Sequence, residues 1–572
     1  MKKAGSLAWA RESNVLTNTF WCVLIAILPA IAIWTILNYP WPKLCLNVVS
    51  NGRLYDSTAK SVLNAQQANP VGEIVGRMGV IGRFLNLALF SWVSQASSAD
   101  PQDSFEFDCV ALPYRLNDTH APNTTISLSQ YVPGGTVIDL SSVVNSTCLG
   151  PNATPVTQKV SFDTCRVAAY TKTSERSGIH YGLWMPRSWS GRFMSHGNAR
   201  LSGCIDYESL AYSTSAEFAA ISANGGHNGT SGGALFHNSD VVADFVWRSV
   251  HTGVVIGKAI TKTFYGKPHS KSYYLGCSTA GRQGFKSIQD FPEDFDGVVV
   301  GAPALAFNNL TSWSGHFYQI TGPPGSPTFI PALTWIGPIR RDILKHCDAL
   351  DGVRDGIIED PSACHYDPKD LACNGATLAA GITCLSKEQI PTVRAVFAPL
   401  SQIDGSLIYP GLSIDVDYSP VFDGTPSPTM VDWFRFVIFQ NVSWDPTTLS
   451  LADMAFASQL NPSNVETWSG DLNAFFKRGS KVIHYHGLSD PVISSENSKR
   501  YYEHVRSTMG LTYAAQDEFY RYFPISGTGH CEGGRGAWAI GQSQKAVASS
   551  KAQANVLSAI IRWVEQGNVF LQ

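Results

Sequence analysis

Charge is scarce in this sequence. Of 572 residues only 15% are Asp, Glu, Lys or Arg, and 42 basic against 45 acidic side chains leave a net charge of −3. Such a balance offers no basic face to nucleic acid or to an anionic membrane surface. Cofactor motifs are missing too. There is no P-loop, no dinucleotide fingerprint, no transition-metal ligand spacing and no C-x-x-C pair. Nucleotide-dependent and thiol-redox chemistries therefore lack the residues they need. What is plentiful is Gly (49), Pro (31), Ser, Thr and Asn, the mixture of a secreted, loop-rich enzyme. Seven N-x-[ST] sequons, at Asn117, Asn123, Asn145, Asn152, Asn228, Asn309 and Asn441, predict a glycosylated surface.

Long apolar runs are nearly confined to the N-terminal end. Residues 20–37 form one such run behind Lys2, Lys3 and Arg11, the layout of a signal-anchor. Residues 78–99, MGVIGRFLNLALFSWVSQASSA, place Arg83 before an apolar stretch at 84–93 and end in small residues. That is the layout of a secretory signal peptide cleaved near Ala99. Tandem export signals conflict in one chain. The expected functional start is Met78, with 1–77 a non-native or anchor-like extension and 78–99 the signal peptide. Cys22 and Cys45 precede Met78, and the ten cysteines after it are an even set for an oxidising compartment. A secreted, extracellular protein is expected. A membrane-anchored form through residues 20–37 is the alternative, and only there would a membrane be a partner.

The chemistry gathers around residues 271–284, KSYYLGCSTAGRQG. Tyr273-Tyr274-Leu275 reads as a buried strand, residues 276–281 as a turn of small residues, and 282–289 as a helix. A serine on a sharp strand-to-helix turn is the nucleophile elbow of an α/β-hydrolase. Its neighbours are small because the backbone is strained and substrate must reach the hydroxyl. Ala280 stands where G-x-S-x-G has its last glycine, and Gly281 follows it. Such a turn is more often only a turn. Two downstream stretches decide for the elbow. Residues 481–493, KVIHYHGLSDPVI, read as a strand followed by a loop carrying Asp490. Residues 527–534, GTGHCEGG, put His530 in a glycine-rich loop before an apolar helix expected at 546–564. The order Ser, Asp, His is that of an α/β-hydrolase. His484 and His486 read as strand-end residues rather than bases. Cys277 precedes Ser278 and Cys531 follows His530, so a bond between them would hold nucleophile and base side by side.

On these residues the chain resembles the fungal and bacterial tannase/feruloyl esterase family. Its hallmark is a disulfide between cysteines adjacent to the catalytic serine and histidine, with an aspartate between them in sequence. The resemblance runs from near Cys109 to the C-terminus. It implies an α/β fold, an α/β-hydrolase core with a large inserted lid domain, and Ser278, Asp490 and His530 as the triad. Four cysteines at 109, 148, 165 and 204 allow three connectivities, and the resemblance implies Cys109–Cys165 and Cys148–Cys204. Cys347–Cys364 and Cys373–Cys384 complete five pairs with Cys277–Cys531.

The catalytic domain is expected at 100–303 and 479–572, opening with a small strand-rich cap at 100–170. An early strand at 179–186, a helix at 240–264 and a parallel strand within 295–303 follow. The amide of Thr279 is the first expected oxyanion donor. The second is expected between Asn198 and Arg200, and is assigned to Ala199; family members tend to have paired glycines where this chain has Ala199-Arg200. The hydrolase pattern stops at 304–478, too long for a loop, so these residues form the lid. Its Trp313, Phe317, Tyr318, Trp335, Trp433, Phe434, Phe436 and Trp444 either line a phenolic pocket or build the lid's own core. Within it, CDALDGVRDGIIED at 347–360 spaces Asp348, Asp351 and Asp355 around Gly352 and Gly356. That is either an acidic turn or a hard-cation loop, and not an EF-hand. The resemblance implies structural Ca²⁺ held by Asp348, Asp351 and Asp355 with the Val353 and Ile357 carbonyls.

These readings converge on a serine esterase of feruloyl type acting on aromatic acid esters, small or linked to plant polysaccharide. A tannase releasing gallate, or a catalytically silent binding protein on the same scaffold, are the alternatives. No pattern in the sequence speaks to oligomeric state.

Overall fold

Val298, Val299 and Val300 are fully buried, as are all six residues of Phe218–Ala223. Strands that are apolar on both faces belong inside a parallel sheet covered by helices on either side. That sheet is the centre of the computed structural model, which describes residues 101–567 except 117–120, 143–145, 149–155 and 374–383. The targeting segments and Asn117, Asn145 and Asn152 lie outside the described residues. Asn123, Asn228 and Asn441 are exposed and Asn309 is half-buried. No described helix is long and apolar enough to cross a membrane.

Nine strands make the sheet: β1 (Thr124–Val132), β2 (Thr164–Lys172), β3 (Gly178–Pro186), β4 (Arg192–His196), β5 (Phe218–Ala223), β6 (Lys271–Cys277), β7 (Gly297–Gly301), β8 (Lys481–Gly487) and β9 (Tyr520–Ile525). In space they run β1-β2-β3-β5-β4-β6-β7-β8-β9. The β1/β2, β2/β3 and β3/β5 pairs are antiparallel and the others parallel. Helices Ser249–Tyr265 and Thr279–Asp290 cover one face, with Val254, Ile260, Phe285 and Ile288 in its core. Helices Tyr207–Ser215 and Val556–Gln566 cover the other through Leu210, Leu557, Ile560 and Trp563. This is an α/β-hydrolase core.

Two expectations are corrected. The segment at 100–170 is not a separate cap. It opens with a helix, Pro101–Arg115, and supplies β1 and β2 to the central sheet. Among its described residues only Val137–Asp139 and Thr157–Lys159 form a ribbon of their own. The exposure of β1 largely alternates, as an edge strand's does, and the Cys109–Cys165 bond ties the helix to β2. The C-terminal helix starts at Val556, ten residues later than expected at 546, because Asn555 caps it by accepting from the Ser558 amide.

The insertion between β7 and β8 is mostly helical, with Phe307–Thr321 at its middle. Its core contains Trp313, Phe317, Trp335, Trp433 and Phe434, all at most 2% exposed, with Phe436 and Trp444 packed against them. Most of the lid aromatics are thus structural. Trp433 also donates its indole N–H to Asn308 at 2.9 Å.

Candidate active site

Because β6, β7 and β8 are parallel and in register, Cys277 sits beside Gly301 and Gly301 beside Tyr485. Their carboxyl ends open on one edge of the sheet, where α/β folds place their chemistry. Ser278 leaves β6 with φ 64° and ψ −124° and opens the helix Thr279–Asp290. The strained turn is held by its neighbours: Ser278 N donates to Gly301 O at 2.9 Å, and Ala304 N donates back to Ser278 O at 3.0 Å. The small residues have identifiable reasons. A Cβ on Gly281 would lie 2.6 Å from the Gly301 oxygen, so helix and strand could not approach. A Cβ on Gly276 would lie 2.8 Å from the Ala280 methyl, so Gly276 makes the room that Ala280 uses.

Asp490 is in the loop after β8 and only 1% exposed. Its Oδ1 accepts the amides of Val492 at 2.8 Å and Ile493 at 3.0 Å. Its Oδ2 accepts from His530 Nδ1 at 2.7 Å and from His486 Nε2 at 3.1 Å. Burial pushes its pKa up, but the attraction of His530 and the bonds from His486 and His530 outweigh it. The carboxyl is left well below the usual carboxylate range. An ionised Asp490 accepts only, so the His530 proton is on Nδ1 and Nε2 is left as an acceptor. His530 is partly exposed, at 23%. Its loop passes close over β8: a Cβ on Gly487 would meet the Thr528 oxygen at 2.2 Å. Cys277–Cys531 then brings the backbones beside Ser278 and His530 to a Cα separation of 6.0 Å. The other four expected pairs also form.

Thr279 is the first residue of its helix, so its amide has no carbonyl one turn back to bind. Residues 197–199 press on the same turn, since a Cβ on Gly197 would come within 2.9 Å of the Ala280 methyl. Of the three candidates for the second donor, Asn198 is taken, its amide donating to Gln283 Oε1 at 2.9 Å. Ala199 and Arg200 are exposed, and Arg200 has φ 48°. A cavity of about 260 Å³ reaches His530 and is lined also by Tyr418, Asp417, Ser489, Pro491 and Arg535. A larger one, about 920 Å³, between Tyr366, Leu412, Leu488 and Tyr522 includes neither Ser278 nor His530. Of these two cavities the smaller borders the catalytic histidine, though its lining does not include Ser278.

In the acidic loop, Asp351 Oδ1 accepts the Val353 amide at 2.8 Å and Asp355 Oδ1 that of Ile357 at 3.0 Å. Asp348 Oδ1 accepts from Gly356 at 2.9 Å. The donor chemistry, three carboxylates and turn carbonyls, fits a hard cation. Among the described residues, however, no three acidic, histidine or cysteine side chains converge as ligands. Arg340 and Arg535 both donate to the Gly356 carbonyl, at 2.9 and 3.1 Å, and also line the cavity beside His530.

Sequence reasoning missed His486. It lies near the end of β8, as expected, but it is fully buried and its ring meets the aspartate, a contact the strand pattern does not show. The available signal was two histidines two residues apart in a buried strand, which puts both rings on one face.

Fold and site together define a hydrolase of the α/β class, with its serine on an elbow and its histidine on the facing loop. Comparison with known proteins narrows this. The profile of the family described as tannase and feruloyl esterase matches residues 165–569. The chain is 48% identical over 469 residues to a probable feruloyl esterase B-2 of Aspergillus terreus, covering 82% of this chain and 87% of that one. It is 45% identical over 478 residues to feruloyl esterase C of Talaromyces stipitatus, covering 83% and 88%. Among solved structures, feruloyl esterase B from Aspergillus oryzae superposes with TM-score 0.78 at 43% identity, covering 81% and 91%. Tannin acyl hydrolase from Aspergillus niger shares the fold, with TM-score 0.62 at 20% identity and coverage of 81% and 88%. The chain belongs to the tannase and feruloyl esterase family.

Proposed function

We propose that the chain is a carboxylic ester hydrolase of feruloyl esterase type, cleaving esters of hydroxycinnamic and related phenolic acids through an acyl-enzyme on Ser278. One observation carries the reading: the Cys277–Cys531 bond joins the serine elbow to a histidine that shares a 2.7 Å bond with a buried aspartate. His530 Nε2 takes the Ser278 proton as the hydroxyl attacks the ester carbonyl, then returns it to the leaving alcohol. Asp490 holds the imidazole in the required tautomer and stabilises its charged form. Water repeats the sequence and frees the acid. The Thr279 amide, with that of Ala199, stabilises the oxyanion.

The feruloyl side is favoured over gallate because the relatives at 44–48% identity are named feruloyl esterases, whereas the tannin acyl hydrolase shares only the fold. Secretion and glycosylation belong to the same reading. They are supported by five disulfides and by three exposed sequon asparagines. Structural Ca²⁺ in the loop of Asp348, Asp351, Val353, Asp355 and Ile357 belongs to it too, on donor chemistry alone. The test is release of free acid from methyl ferulate and methyl gallate in parallel, with Ser278→Ala as the blank. Ferulate turnover with little gallate turnover is expected; the reverse makes the chain a tannase. No turnover of either by folded protein favours the silent binding scaffold.

A further inference from the structure

Behind Asp490 lies a line of polar groups that the triad does not use. His484 and His486 are both unexposed, on one face of β8, and turned toward the helix Ser495–Met509. Buried imidazoles are costly unless each nitrogen is satisfied. Here all four are. His486 Nε2 meets Asp490 Oδ2 at 3.1 Å and the Ile493 carbonyl at 3.2 Å. His486 Nδ1 meets Ser498 Oγ at 2.6 Å, and the same oxygen meets His484 Nε2 at 2.9 Å. His484 Nδ1 meets the Tyr520 hydroxyl at 2.8 Å. Ser498 is 1% exposed and Tyr520 not at all.

With both rings neutral, only one proton arrangement uses each hydrogen once. Asp490 Oδ2 and the Ile493 carbonyl can only accept, so His486 carries its proton on Nε2. Its Nδ1 then accepts from the Ser498 hydroxyl, whose oxygen accepts from His484 Nε2–H. His484 Nδ1 accepts from Tyr520. Burial holds the His484 pKa well below its usual value, in keeping with a neutral ring. The bonds therefore all point the same way, from Tyr520 to Asp490.

We propose that His486 is a positioning residue, the last link of a one-way chain Tyr520–His484–Ser498–His486 that orients Asp490 and through it sets the basicity of His530. The proposal rests on the triad reading above. Asp490 receives four donors, two on each oxygen, and so cannot turn. Each donor also draws charge from the carboxylate. Without His486, the remaining charge binds the His530 proton more tightly and raises its pKa. The other ionisable groups nearby are Tyr409 facing Asp490, Tyr522 facing His484, and Arg340, Asp415, Asp417, Glu532 and Arg535 around the cavity beside His530. None of them donates to Asp490 among the described residues.

The test is the pH dependence of kcat/KM for methyl ferulate in His486→Leu, His486→Gln, Ser498→Ala and Tyr520→Phe. Gln can return a donor to Asp490; Leu cannot. In His486→Leu the acid limb is expected to move up by about half a unit to one unit, with kcat down about tenfold. Ser498→Ala should move the limb less, Tyr520→Phe least, and His486→Gln should restore it. The low-field proton-NMR line of His530 Nδ1–H should shift in the same order. That line reads the chain even if wild type cleaves no ester, an outcome that would sink the functional reading separately. If His486→Leu does not fold, the Ser498→Ala and Gln variants carry the test. The proposal is overturned if activity or melting temperature falls while limb and resonance stay put, or if Gln is no better than Leu.

Discussion

Two polar clusters in this molecule are each bracketed by a disulfide, and they are built in opposite ways. At the sheet edge, Ser278, Asp490 and His530 come from segments far apart in sequence, and strand register with the Cys277–Cys531 bond makes them converge. In the lid loop, Asp348, Asp351 and Asp355 are neighbours in sequence inside Cys347–Cys364, yet each gives a carboxylate oxygen to a loop amide and the side chains do not converge. Proximity in sequence is thus no substitute for a scaffold. The triad is preorganised by backbone and needs nothing from outside, whereas the loop offers a donor set that an ion would have to gather.

The largest way to break this contrast is to remove the charge at the centre of the preorganised cluster. Asp490→Asn leaves the shape but no longer requires the Nδ1–H tautomer of His530, and kcat for an ester substrate should fall about 10,000-fold. A loss under tenfold would mean the geometry is not used as assigned. The same carboxylate gives a stability signature. Its folded pKa is depressed, so its stabilisation is full above the ordinary carboxylate range and is lost as pH falls toward the folded value. Urea melts of wild type and Asp490→Asn should therefore converge as the medium is acidified.

Next in size is the difference between the two staples. Cys277–Cys531 closes a separation of 254 residues and Cys347–Cys364 one of 17. Loop-closure entropy alone assigns them about 5 and about 3 kcal/mol. Paired serine substitutions should then separate the clusters by kind of effect. Loss of the first bond lowers both melting temperature and kcat, because His530 is no longer held beside the elbow. Loss of the second lowers melting temperature and leaves kcat within about twofold. Equal effects on kcat would mean the lid loop is as much part of the site as the elbow, a route for which Arg340 and Arg535 on the Gly356 carbonyl already provide the contacts.

The elbow was legible in the sequence because strain and close approach leave few residue choices. Gly276, Gly281 and the small residues around Ser278 are the trace of contacts near 2.8 Å that a side chain would fill. The triad order and flanking cysteines were legible for the same reason: chemistry restricts them. His486 was not. Period-two alternation places His484 and His486 on one face, but their shared partner Ser498 lies on a helix that no local pattern aims at them. Strands β1 and β2 read as a cap because the alternating surface of the edge strand β1 looks the same whether or not it joins a larger sheet, and nothing local to β2 shows that it pairs with β3 as well. The Asn198 amide is an oxyanion candidate by its place in the loop, but the Gln283 side chain, 85 residues away in sequence, accepts it, and no local pattern shows that contact.

The smallest expected effect tests the other half of the contrast, the cluster that is not preorganised. If Ca²⁺ gathers Asp348, Asp351 and Asp355, the ion binds the folded chain and not the unfolded one, so it stabilises by mass action. At a hundredfold excess over Kd that is about 2.7 kcal/mol, or a few degrees in melting temperature for a domain of this size. Addition of Ca²⁺ after chelation should raise the melting temperature by that amount, Mg²⁺ should do so weakly, and Asp351→Asn should blunt the response. Calorimetric titration should give one site per chain. A melting temperature indifferent to Ca²⁺ and chelator, together with no heat of binding, would make these carboxylates an acidic turn held by its own amides. The contrast would then be sharper still: one cluster gathered by the fold for chemistry, and one that serves only to close a loop.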